Sequence, residues 1–250
     1  MRHLKRYGQL FESTQELTQE QKDWLDKCAK RTWSVNPKTG LVDVDGTFNC
    51  SNQGLTDFKG VRFGKVSGNF NCFENKLTSL DGAPQMVGRS FSCYTNDLAS
   101  LEGLPEGFSV GGNFNCFRNN LTSLKGLPKG FSVGYFRCSN NDLTSLKGLP
   151  EGFSFDRDFD CSDNNLTSLE GALQSIGGNI VCSGNPISEG SIGRILRRMS
   201  DKKISLEQAV LDLWEEMPEE DQIYLAKHNP DITPEEKRIY RAIELNMKRR

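Results

Sequence analysis

Eight cysteines and two histidines are the residues of this chain best suited to metal binding, disulfide formation or nucleophilic attack. Seven of the cysteines recur almost periodically, at Cys50, Cys72, Cys93, Cys116, Cys138, Cys161 and Cys182, in steps of 22, 21, 23, 22, 23 and 21 residues. Metal sites call for ligands in close sequence clusters, and the chain has no C-x-x-C pair. Its histidines, His3 and His228, lie near opposite ends. A period of this length is instead the mark of a solenoid, in which each repeat forms one coil. Stacked coils would place equivalent thiols ~4.8 Å apart. Facing the core, a free cysteine behaves there as a small hydrophobe. The expectation is therefore a reduced, buried ladder. Cys28 lies outside the ladder, but its helical spacing from Trp24 also predicts burial. No P-loop, GxGxxG or HExxH is present, so the chain is read as a non-enzymatic protein without cofactor or metal.

The elements that carry the ladder follow from the repeated unit, F-x-C-x-x-N-x-L-T-S-L-x-G-x-P. It is complete at Phe70–Pro84, Phe114–Pro128 and Phe136–Pro150. The unit at Phe91 has Ala99 in place of Thr. The first has Gln53 at the asparagine position and Phe58 for the second leucine, and the last stops at Asn185-Pro186. Phe and Cys alternate with polar residues at period two, so both face one side of a short strand. Asn can turn its amide onto backbone groups where the chain leaves the strand. The two leucines return the chain across the core, and Gly and Pro close the far turn. One coil cannot bury its own apolar face, but its neighbours can cover it.

Over residues 42 to 187 this pattern resembles the leucine-rich repeat, L-x-x-L-x-L-x-x-N-x-L, with Phe and Cys in the fourth and sixth places. The wording F-x-C-x-x-N-x-L-T-S-L-x-G is also similar to a repeat family common in bacteriophages. There the repeats likewise follow a tryptophan and a V-D-V-D-G-like lead-in, matched by Trp33 and Val42-Asp43-Val44-Asp45-Gly46. The fold expected is an α+β repeat: a leucine-rich-repeat-like solenoid of about seven coils with a parallel sheet. The register of such a coil implies that the residue between Phe and Cys, and the two after Cys, face solvent. The position after Cys holds Phe73, Tyr94 and Phe117 in three consecutive coils, with Arg118, Tyr135 and Arg137 nearby. Aromatic and arginine side chains are enriched at binding hot spots. Two other readings compete: the rings stack on one another as a stabilising ladder, or a flanking segment covers them. Further along, Asp158, Asp160 and Asp163 read as a solvated acidic face rather than a metal site, since no calcium loop accompanies them.

Open solenoids need caps. Residues 1–41 are read as a tail, a helix and a hairpin. Leu17-Thr18-Gln19-Glu20-Gln21 carries a capping box, the helix is expected to run to about Arg31, and a hairpin spans Trp33–Val35 and Leu41–Val44. Residues 188–250 are read as a small bundle of four amphipathic helices, with start signals at Ser191, Ser205, Pro218 and Thr233. Arg194, Arg197 and Arg198 lie opposite the apolar stripe of the first of these helices and form a basic patch.

The formal net charge is −2, from 31 basic and 33 acidic residues. That balance gives no reason to expect sequence-independent nucleic-acid or membrane binding. No apolar run approaches the ~18 residues of a membrane span, and no signal-peptide core follows the basic start. The reading is a protein-binding module acting through the strand face, the helical module or both. The phage resemblance implies a bacterial host protein as target, modulated or inhibited as in anti-defence, within the cytoplasm of the infected cell. The alternative is nucleic-acid binding through Arg89, Arg118, Arg137 and the Arg194–Arg198 patch, with aromatics for base stacking.

Overall fold

The structure, a computed structural model, describes residues 16–167 and 179–186. The helical module, with Arg194, Arg197 and Arg198, and the first residues of the chain lie outside the described residues.

The capping box forms as the sequence predicts. The Thr18 backbone N–H donates to Gln21 Oε1 at 2.8 Å, and the Gln21 N–H donates to Thr18 Oγ1 at 3.2 Å. Helix α1 (Gln19–Ala29) buries Trp24, Leu25, Cys28 and Ala29. It ends two residues earlier than expected, because Lys30 and Arg31 both take the left-handed conformation (φ 51° and 65°) and turn the chain out. Strands β1 (Trp33–Val35) and β2 (Val42–Val44) form the antiparallel hairpin.

From β2 onward the chain winds as a parallel β-solenoid. The F-x-C segments supply β3 (Phe48–Asn49), β5 (Phe70–Asn71), β7 (Phe91–Ser92), β9 (Phe114–Asn115), β11 (Phe136–Arg137), β13 (Asp158–Asp160) and β14 (Asn179–Val181). They pair in register as one seven-stranded sheet. Phe48 lies beside Phe70, Phe70 beside Phe91, Phe91 beside Phe114, and Phe114 beside Phe136.

A second parallel sheet was not anticipated from the repeat unit. Strands β4 (Phe63–Val66), β6 (Met86–Val87) and β8 (Ser109–Val110) continue the β1–β2 hairpin into a five-stranded sheet. Strands β10 (Ser132–Val133) and β12 (Ser154–Phe155) pair beside them. Each follows a tight turn such as Pro105-Glu106-Gly107-Phe108. There the Phe108 N–H donates to the Pro105 carbonyl and Gly107 sits at φ 74°, where a side chain would be strained. The alternation of Phe108-Ser109-Val110 suits a strand, but two paired residues carry no signal of their own. They become a strand because the neighbouring coil offers a matching edge.

The core lies between the two sheets. Phe48, Phe70, Phe91, Phe114 and Phe136 stack with centroids 5.2–5.4 Å apart and planes within 16°. Phe108, Phe131 and Phe153 meet this column edge-on from the second sheet. The seven ladder cysteines and Cys28 are buried and unbridged. Burial pushes the thiols of Cys50, Cys72, Cys116, Cys138 and Cys161 well above the usual range, and that of Cys93 upward as well.

Beside the cysteines runs a ladder of asparagine amides. Asn119 donates to the carbonyls of Cys116 in its own coil and Cys93 in the preceding one, each at 3.1 Å. Its Oδ1 accepts the Leu98 N–H at 3.1 Å. Asn75, Asn96, Asn141, Asn164 and Asn185 repeat the arrangement. The residue before each of the first five is left-handed, with φ 52–54° at Glu74, Thr95, Arg118, Asn140 and Asp163. The amide bonds hold this otherwise unfavourable bend.

Candidate binding face on the seven-stranded sheet

The in-register sheet brings the side chains after each cysteine into one column. Phe73, Tyr94 and Phe117 stack face to face, with centroids 4.5 and 4.4 Å apart and planes within 7° and 11°. Stacking leaves all three half-buried, with their edges to solvent. The column therefore is a ladder, as one of the competing readings held, and it still presents an aromatic ridge. Burial raises the Tyr94 hydroxyl pKa, and the nearby Glu74 carboxylate raises it further.

Arg137 closes one end of the ridge. Its guanidinium carbon lies 4.7 Å from the centre of the Phe117 ring. Its Nε donates to Asp160 Oδ2 at 3.0 Å. Asp160 in turn accepts the Ser162 N–H at 3.1 Å and the Ser162 hydroxyl at 2.6 Å through Oδ1. Ring, guanidinium and carboxylate thus run in one row across three neighbouring coils. Tyr135 is half-buried beside it. Its hydroxyl pKa is raised first by burial and then by Asp160, with Arg137 opposing and Asp158 adding to the rise.

Phe73, Tyr94, Phe117, Arg137 and Tyr135 are therefore brought together. Arg118 is not part of the row: it sits in the left-handed turn after Phe117, exposed, and forms no ion pair among the described residues.

Two expectations about this face are corrected. Asp160 is not part of a solvated acidic face; it is 5% exposed and held by Arg137 and Ser162. Nor does the whole position after cysteine face solvent, since Ser139 is 1% and Ser162 8% exposed. These short side chains are sealed by the coils on either side, whereas Ser51 is half-buried and Ser183 exposed. The ion pair could have been found from the sequence. Arg137 and Asp160 occupy the same place in successive units, and parallel pairing sets them side by side.

Among the described residues, no group of three or more His, Cys, Asp or Glu side chains is placed to hold a metal ion. Among them, too, no helix is long and apolar enough to cross a membrane. Compared with known proteins, the chain matches no family model and no curated sequence.

Proposed function

We propose that the chain is a non-enzymatic recognition protein that binds a protein partner through the Phe73–Tyr94–Phe117–Arg137 row. The observation that carries this reading is the row itself: three stacked rings and an arginine, anchored by a buried carboxylate, on the outer side of the sheet. Stacking and the ion pair restrict these side chains before any partner arrives. Little rotamer entropy then remains to be lost on binding, and Tyr, Phe and Arg are the side chains that dominate interface energetics. The resemblance of the repeats to a phage family supports a bacterial host protein as the partner, bound to modulate or inhibit it, as an anti-defence factor would. Nucleic acid is a weaker fit, because rings 4.4–4.5 Å apart admit no base between them and leave only the outer face of Phe73 for stacking.

The test is an affinity capture from host lysate with the wild-type chain and with the Tyr94→Ala, Phe117→Ala double variant. A protein retained by the first and lost by the second is the expected result. Retention by both would move the site off this face, and strongly salt-dependent capture of nucleic acid alone would reverse the reading.

A further inference from the structure

The aromatic ridge has two ends, and they are finished differently. At the Phe117 end the outer ring face carries Arg137, which reaches across from the adjacent coil and is held by Asp160. At the Phe73 end, among the described residues, no ring or cation lies on the outer face. The adjacent coil there offers Asn49 as the in-register counterpart of Arg137, since both follow the core phenylalanine of their strand. Asn49 is too short to reach the ring. Its Oδ1 is turned to its own coil, accepting the Ser51 N–H at 3.1 Å and the Ser51 hydroxyl at 2.7 Å. The neighbouring position in the column, Ser51, is likewise small.

We propose that the outer face of Phe73, with Glu74 beside it, is the seat for an arginine side chain of the partner protein. The chemistry matches what the molecule already does at the other end. A planar guanidinium can lie on an aromatic face while donating to a carboxylate, and those are the two groups that hold Arg137. Glu74, exposed in the left-handed turn that directly follows Phe73, supplies the carboxylate nearest to it in sequence. Asn49, Ser51 and Asn52 of the adjacent coil add neutral hydrogen-bonding groups. A lysine would supply the charge but not the flat stacking surface. The inserted side chain would extend the row by one layer, from Phe73 outward.

This inference rests on the strand-face reading and names one contact within it. A displayed library of random dodecapeptides panned against the immobilised full-length chain tests it. Recovered peptides are expected to share an arginine whose replacement by glutamine weakens binding at least tenfold. Asn49→Arg should fill the seat from within, as Arg137 does at the other end. It is expected to weaken the same peptides at least tenfold without lowering the melting temperature. Phe73→Leu should weaken them similarly, whereas Thr144→Arg, on the Leu-Thr-Ser-Leu segment, should not. Recovery of no arginine peptide, or arginine peptides indifferent to both Asn49→Arg and Phe73→Leu, would overturn the proposal. Arginine peptides that bind only after Arg2 and Arg6 are changed to glutamine would also overturn it, assigning the seat to the chain's own terminus. If the arginine requirement fails while Tyr94→Ala still abolishes partner capture, the strand-face reading stands and the arginine seat alone falls.

Discussion

Raising the pH from about 7.5 to about 9.5 should strongly destabilise this protein, and the reason is the cysteine ladder. Burial keeps the thiols of Cys50, Cys72, Cys93, Cys116, Cys138 and Cys161 protonated in the folded chain far beyond the point at which an exposed thiol ionises. In the unfolded chain the same thiols ionise near pH ~8.5. A folded-state pKa raised above the unfolded one gives stability that is complete below the unfolded value and is lost as the pH climbs past it. Above pH ~8.5 the unfolded chain binds fewer protons, so stability falls with pH. Across the interval each thiol contributes a loss of about 1.4 kcal/mol. Six together contribute about 8 kcal/mol, comparable to the whole stability of a typical domain, roughly 5–15 kcal/mol. Urea unfolding followed by circular dichroism, in a phosphine reductant at several pH values across this range, measures the slope directly. Cys116→Ala should reduce this six-thiol contribution to the slope by about one sixth. A loss below about 3 kcal/mol over the two pH units would mean that the thiols ionise in place and that the ladder is not sealed.

Asn119→Ala removes the amide N–H bonds to the Cys93, Cys116 and Phe117 carbonyls and the acceptor for the Leu98 N–H, so it should destabilise the chain by about 3–5 kcal/mol in urea titration; Gln53→Ala, whose side chain joins Trp24 and Cys28, should cost about 1 kcal/mol. Cys116→Ser retains a partner in the Arg137 carbonyl, 3.4 Å from Sγ, and should cost about 1 kcal/mol, less than the roughly 2–3 kcal/mol expected at Cys93; equal losses would show that the carbonyl gives no rescue. Tyr94→Ala breaks both ring stacks and should lower stability by about 1–3 kcal/mol while weakening the captured partner by about 2 kcal/mol or more; unchanged affinity with a lowered melting temperature would leave the ridge a purely structural ladder. Asp160→Ala should lower stability by about 1–3 kcal/mol and free Arg137 from the Phe117 ring, seen as loss of ring-current shifts on the arginine methylenes.

Much of the architecture was legible in the unaligned chain because a solenoid repeats its instructions. The steps of 21 to 23 residues between cysteines, the period-two placing of Phe and Cys, and the Asn-x-Leu that follows state the same coil several times over. Thr18 and Gln21 likewise carry their capping geometry locally. These features depend on contacts within a few residues or at one fixed offset, so composition and spacing suffice to reveal them. Three features were settled only by stacking. The second sheet exists because two-residue segments such as Ser109–Val110 find an edge on the neighbouring coil. The repeat register sets Arg137 beside Asp160, but that Asp160 ends buried and not on the surface follows only from Arg137 and Ser162 closing over it. The rings of Phe73, Tyr94 and Phe117 become a ridge because the strand repeat sets them at stacking distance. In each case a deciding partner lies a full coil away, and the energy belongs to the pair. A single residue type can announce that it will sit on a strand. Whether it ends exposed, sealed or stacked depends on which side chain the adjacent coil sets against it.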